Sequence, residues 1–353
     1  MAQRLYRVAV IGCGHMGEEH VKRLYDKEYI EITYACDLSR ERAERFCSRY
    51  GALRAVTDRR ICLEDPSVDI LLVSTYPDSH LTILKECIQY HKHLLCEKPV
   101  AADPAHAAEF IRLVRENPGI KVLIGHILRH NKTYQKAAEM IRQGAIGFPI
   151  VCRMSQNHHA MDWTKYLALL RQASPLVDCG VHYVDVMRWF TGAEVVSVQA
   201  VGARTEADLA ENEYNYGLMS LRLSDGSVGY YEAGWGNTMS SDNLKEFSGP
   251  RGRIRIIYQE LRDRNQEEGD LIEYYRYPEK EYEMINIRAD RKPADLQFDH
   301  LIRMIETGCE ANPAIGDVEA ALKVCLEADR KIRSQLLFKP EEDEHVTGSK
   351  GSI

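Results

Sequence analysis

The tightest constraint in this chain lies near its start. Val8-Ala9-Val10-Ile11 is a continuous apolar run, the pattern of a strand buried on both faces. It leads into Gly12-Cys13-Gly14-His15-Met16-Gly17, and an amphipathic stretch, Glu18 to Asp26, follows with Val21, Leu24 and Tyr25 at helical spacing. In a strand–turn–helix of this kind the three glycines have separate tasks. They allow a tight turn, close approach of the backbone to a pyrophosphate, and close helix–strand packing. The helix start offers N–H groups and a positive dipole end to phosphate. A glycine triplet alone also fits a plain turn. Here a second strand, Ile30 to Cys36, ends in Asp37, twenty positions after Gly17. A carboxylate there accepts hydrogen bonds from ribose hydroxyls and repels a 2′-phosphate, which favours NAD over NADP. Arg40 keeps NADP open, and Asp37 also suits a plain charge at the start of a helix over Ser39–Tyr50.

The alternation continues. Asp69 to Val73 reads as a buried strand that breaks at Ser74-Thr75-Tyr76-Pro77-Asp78, with a helix from Ser79 to Tyr90. A strand from His93 to Cys96, a helix from Pro104 to Glu116 and a strand from Lys121 to Gly125 follow. Pro104 fits the first turn of its helix. Alternating strands and helices predict a doubly wound parallel sheet. At its carboxyl edge, where ligands collect in such sheets, stands Leu95-Cys96-Glu97-Lys98-Pro99. A solvated loop lysine is the plain alternative for Lys98.

The second half reads differently. A helix spans Asn131 to Gln143, and a strand begins over Pro149 to Met154. A polar and aromatic patch follows: Gln156, Asn157, His158, His159, Asp162, Trp163 and Tyr166. It fits a surface loop, a metal site or a wall for a hydroxylated ring. Against the metal, adjacent histidines in extended chain point to opposite faces. Leu176 to Thr191 reads as one helix closed by Gly192, with Asp178 and His182 one turn apart on one face. Asp185 reads as an anchor to the other half. Strands follow from Val195, including a hairpin at Ser224-Asp225-Gly226-Ser227 and another at Gly249-Pro250-Arg251-Gly252. Helices over Ala294–Glu306 and Val318–Ser334 end the fold, and residues 339–353 read as a flexible tail.

Composition narrows the partners. With 44% hydrophobic and 28% charged residues, the chain reads as a soluble globular protein. A net charge of -7 gives no footprint for nucleic acid or an anionic membrane. No apolar run reaches membrane-spanning length. The ten cysteines have no metal spacing and no C-x-x-C, and the first residues enter a strand with no signal peptide ahead. A reducing, cytoplasmic setting with free thiols is the expectation.

Taken in order, Gly12-x-Gly14-x-x-Gly17, Thr75-Tyr76-Pro77 with His80, Glu97-Lys98-Pro99, Gly125 with Arg129, Ile141 to Gly147 and Asp178 to Asp185 resemble the Gfo/Idh/MocA oxidoreductases. The resemblance covers roughly residues 5 to 338. It implies a Rossmann domain over 1–125 and, over 126–338, a second α+β domain with a large, mostly antiparallel open sheet for substrate binding and oligomerisation. A homodimer or homotetramer through that open sheet is expected. The resemblance further implies a nicotinamide cofactor, NAD before NADP, and a sugar, polyol or cyclitol substrate. Carried over residue by residue, Lys98, Asp178 and His182 are catalytic. Gly12, Gly14, His15, Met16, Gly17, Asp37, Thr75, Pro77, His80, Glu97 and Lys98 bind cofactor. Asn157, His159 and Trp163 join the catalytic three around the substrate, and no metal is expected.

His182 is the candidate base, since a neutral imidazole suits proton acceptance near pH 7. Lys98 would stabilise the developing alkoxide. Asp178 would bond a neighbouring hydroxyl or orient His182. One departure stands out: Gln172-Ala173-Ser174-Pro175-Leu176 replaces the glycine run common in the family before the aspartate. The helix-like Trp163 to Arg171 is expected to line or lid the pocket. Two other activities fit the same fold: glycoside cleavage through transient C3 oxidation, and a catalytically silent NAD-binding regulator.

Overall fold

The computed structural model describes residues 4–259 and 269–337, so the expected tail lies outside the described residues. Six strands form the first sheet: β1 (Tyr6–Ile11), β2 (Ile30–Cys36), β3 (Arg54–Val56), β4 (Ile70–Val73), β5 (His93–Cys96) and β6 (Val122–Ile124). All pair in parallel, in the order β3-β2-β1-β4-β5-β6. The order reverses between β1 and β4, and a crevice for a ligand opens at such a reversal. Helices α1 (His15–Val21), α2 (Arg40–Tyr50), α3 (Arg60–Glu64), α4 (Pro77–Gln89) and α5 (Pro104–Glu116) make the crossovers. The first helix begins three residues earlier than its apolar spacing predicts and gives way to turns after Val21.

The glycine turn shows its physical reasons. Gly12 has φ +97°, and a Cβ there would lie 2.7 Å from the Ser74 carbonyl oxygen. A Cβ on Gly17 would lie 2.2 Å from the Gly12 carbonyl oxygen. Gly14, between them, faces open space.

A short 3₁₀ turn, Ile127–His130, leads into α6 (Lys132–Arg142) and the second sheet. Its strands are β7 (Val151–His159), β8 (Val195–Ala203), β9 (Tyr216–Leu223), β10 (Val228–Gly236), β11 (Lys245–Gly249), β12 (Gly252–Ile257), β13 (Asp270–Arg276) and β14 (Glu281–Ile287). Their order is β14-β13-β12-β11-β7-β10-β9-β8, antiparallel except for β7 beside β10. Helices α8 (Pro175–Asp178), α9 (Gly180–Thr191) and α11 (Ile315–Leu337) pack on one face. Side chains of the other face, among them Val151, Val201 and Val228, are exposed.

Two expectations need correction. The strand that begins near Val151 does not stop at Met154. It runs to His159, so the polar patch is mostly strand. The single helix expected over Leu176–Thr191 is two, α8 and α9, broken at Cys179. Ser174 caps the first through a 3.3 Å bond from Val177 N–H. Gly180 opens the second, where a Cβ would lie 3.1 Å from Met219 Cε and 3.2 Å from Cys325 Sγ. The break and the glycine let α9 lie close on the sheet.

One helix returns. α10 (Ala294–Thr307) buries Phe298, Leu301, Ile302 and Met304 against Tyr6, Val8, Val10 and Leu72 of the first sheet. The core of the first half thus draws on a helix far beyond residue 125. Tyr29 Oη donates to Asp299 across this packing (2.7 Å). Among the described residues, no helix is long and apolar enough to cross a membrane.

Candidate active site

β5 ends by delivering two charged residues to the crevice. Glu97 is buried and accepts a 2.6 Å hydrogen bond from His20 Nε2 of α1. Burial raises its pKa, but the His20 bond and charge and then the Lys98 charge more than offset this, so the carboxylate stays ionised. Lys98, the next residue, crosses to the second half. Its Nζ donates to Asp178 Oδ1 (2.9 Å) and to the Asp178 carbonyl (3.0 Å). Burial is the largest influence and would lower the lysine pKa, yet the Asp178, Cys179 and Glu97 charges and the Asp178 bond together outweigh it, and the net shift is upward. Lys98 is therefore a held cation.

Asp178 does not orient His182. Its carboxylate serves Lys98 and accepts from Cys179 Sγ (3.4 Å), because the chain breaks between α8 and α9 where one continuous helical face was expected. His182 instead meets His126 edge-on, with ring centroids 5.5 Å apart. Its Nδ1 is buried without a partner. Burial, then the Lys98, His126 and Lys292 charges, hold its pKa well below the ordinary histidine value. The ring is neutral and can accept a proton. Below it, Asp185 takes two bonds from Arg129 (2.8 and 2.7 Å) and stands 3.7 Å from His126 Nδ1, joining α9 to the 3₁₀ turn after β6.

Along β7 the side chains alternate, and the alternation corrects the expected substrate wall. Met154, Gln156 and His158 share the helix-covered face with Tyr231, Ala233 and Trp235 of β10. Asn157 and His159 face the other way. Asn157 Nδ2 bonds Glu232 (2.6 Å), and His159 is exposed. His158 feels the Asp178 and Lys98 charges, although burial is the main influence and lowers its pKa. Gln156 Nε2 donates to His158 Nε2 (3.2 Å), and His158 Nδ1 lies 3.1 Å from Tyr166 Oη. Tyr166 belongs to α7 (Trp163–Leu170), capped by Asp162. Trp163 turns its indole N–H to Asp208 (3.0 Å), away from a substrate role.

On the nucleotide side, Asp37 Oδ2 accepts from Cys13 N–H (3.0 Å), and Oδ1 accepts from Ser39 N–H (2.8 Å) and Arg42 Nε (3.1 Å). These bonds leave oxygen lone pairs for ribose hydroxyls. Thr75 Oγ1 bonds Ser79 Oγ (2.7 Å), and Pro77 starts α4. His80 is buried with its two ring nitrogens facing the Pro99 and Thr75 carbonyls (3.1 and 3.2 Å). It ties two loops together and offers no free polar atom. Glu97, paired with His20, likewise acts on the shape of the crevice. His15 and Met16 open α1, beside Lys292.

Sequence reasoning named His158 in the polar patch but chose Asn157 and His159 for the site, and it missed His20, His126 and Lys292. Strict alternation along β7 was the available signal for His158. The other three meet their partners only through long-range packing.

Two family models match in sequence: an oxidoreductase family model with NAD-binding Rossmann fold at residues 6–126, and the GFO/IDH/MocA C-terminal domain at 134–255. The chain belongs to the Gfo/Idh/MocA family of oxidoreductases. An inositol 2-dehydrogenase of Acidothermus cellulolyticus is 26% identical over 222 residues, 63% of this chain and 64% of that protein. The match thus spans just under two thirds of that relative. A myo-inositol 2-dehydrogenase of Thermotoga maritima is 25% identical over 70% of this chain and 74% of its own. In three dimensions, myo-inositol 2-dehydrogenase from Lactobacillus plantarum superposes with a TM-score of 0.79 at 20% identity, covering 94% of this chain and 98% of the other.

Proposed function

We propose that the chain is a dehydrogenase that moves a hydride between a secondary alcohol of an inositol, sugar or polyol and NAD. The observation that carries this reading is the 2.9 Å contact of Lys98 with Asp178 beside a neutral His182. The relatives named inositol dehydrogenases support the substrate class. Asp37 at the end of β2 supports NAD over NADP, since a carboxylate there repels a 2′-phosphate.

The dinucleotide, when bound, supplies the hydride acceptor. Gly12 and Gly17 keep the turn tight and Gly14 leaves room above it, which fits a pyrophosphate. Lys98 holds positive charge where an alkoxide would develop. His182 takes the hydroxyl proton, and Asp178 keeps Lys98 charged and in place. Gln156 and His158 form the wall that orients the other hydroxyls. The exposed face of the second sheet, with Val151, Val201 and Val228, joins copies of the chain into a dimer or tetramer.

A panel of inositols, sugars and polyols with NAD, read at the NADH absorbance, tests the assignment. NADH formation with one of these supports it. No turnover with any of them, despite dinucleotide binding, would remove it. Aglycone release from a glycoside without net NADH would favour transient oxidation instead.

A further inference from the structure

The segment that enters α10 brings Lys292 from the second half onto the glycine turn. Its Nζ lies 3.3 Å from His15 Nε2, 3.5 Å from Glu19 Oε2 and 3.9 Å from Met16 Sδ. An ammonium bonded to an anionic oxygen sits at about 2.7–2.9 Å. All three contacts are longer. Glu19 already accepts from Lys22 at 2.5 Å through its other oxygen. The Lys292 side chain is only 32% exposed, so water does not fully replace a partner. His15 adds no negative charge: burial, then the Lys292 charge, lower its pKa and keep it neutral. The result is a partly desolvated cation, with three donors and no short anionic contact, over the turn beside Gly14.

We infer that Lys292 is a cofactor clamp, closing from the second half onto a phosphate oxygen of the dinucleotide's pyrophosphate. The inference rests on the dinucleotide-binding reading above. It makes the dinucleotide a link between the glycine turn and a residue 277 positions beyond His15, at the start of the helix that returns to the first sheet. Glu19 is then a resting contact that the phosphate displaces.

Calorimetric titration of the full chain with NAD, ADP-ribose and adenosine tests this. Lys292→Ala should weaken NAD and ADP-ribose by about tenfold or more, the scale of one charge-assisted bond. Adenosine, which has no phosphate, should bind the variant as it binds the wild type. Lys292→Arg should restore most of the affinity. Glu19→Gln separates the clamp from a mere strap between α1 and the loop: it should leave ADP-ribose affinity unchanged or tighter. Wild-type ADP-ribose affinity in Lys292→Ala, or a loss in Glu19→Gln matching that of Lys292→Ala, would overturn the clamp alone. Failure of the wild type to bind NAD or ADP-ribose would instead overturn the dinucleotide reading, and the clamp with it.

Discussion

Lys98 Nζ and Asp178 Oδ1 lie 2.9 Å apart across the crevice, although eighty positions separate them in sequence. The pair joins the end of β5 to the break between α8 and α9. The Asp178 carboxylate helps hold Lys98 in its charged form. A lysine so held cannot accept a proton, and in the proposed reaction that task falls to His182.

Replacing Asp178 by Asn tests this division. The Asp178 charge is the largest influence that raises the Lys98 pKa against burial, so the lysine pKa should fall. Turnover should drop by about 10²–10³, the usual effect of disturbing one charge-stabilising group. Dinucleotide affinity by calorimetry should hold. Unchanged kcat/KM in Asp178→Asn would sink the role given to the pair.

His182 should show a depressed pKa in its own right. Burial and neighbouring cations disfavour its charged form, so the acid limb of kcat/KM should lie below pH 6.5. Lys98→Met removes one of those cations, and the His182 pKa should rise. Ring-proton NMR of the two proteins reads the shift directly. An unchanged or lower value in the variant contradicts the electrostatic coupling.

The two adjacent histidines of β7 should behave differently. His158 bonds Gln156 and Tyr166 and feels the Asp178 and Lys98 charges, while His159 lies exposed on the other side. His158→Ala should cost about tenfold or more in kcat/KM, mostly through KM, for loss of orienting contacts. His159→Ala should stay close to wild type. The reverse ranking would put His159, not His158, in the crevice.

Stability should fall in mild acid. His130 is buried, and burial lowers its pKa to about 4, against the partial support of its bond to the Asn312 carbonyl (2.9 Å). Between about pH 6.5 and 4 the unfolded chain binds a proton there and the folded chain does not. Stability is therefore lost as pH falls through that window, by up to roughly 3 kcal/mol from this group. His130→Gln keeps a donor for Asn312 but cannot titrate. Urea melts from pH 7 to 4 should show a shallower loss in the variant, and an equal slope would assign the effect elsewhere.

Local pattern carried the first half of this chain. The apolar run before Gly12, the spacing to Asp37 and the alternation through Cys96 define the parallel sheet and put Lys98 at its ligand-binding edge. They do so because strand burial and glycine turns are short-range properties. Hairpin signals such as Asp225-Gly226 gave the second sheet its strands for the same reason. Tertiary structure decided which of the two faces of β7 meets the crevice: alternation separates His158 from His159, but a one-residue slip exchanges them. It also broke the helix at Cys179, where close packing of Gly180 on the sheet outweighs helical continuity. Only packing could bring α10 back to the first sheet, and with it Lys292 onto the glycine turn. Contacts between residues hundreds of positions apart leave no periodic trace, because they arise from how finished elements fit together.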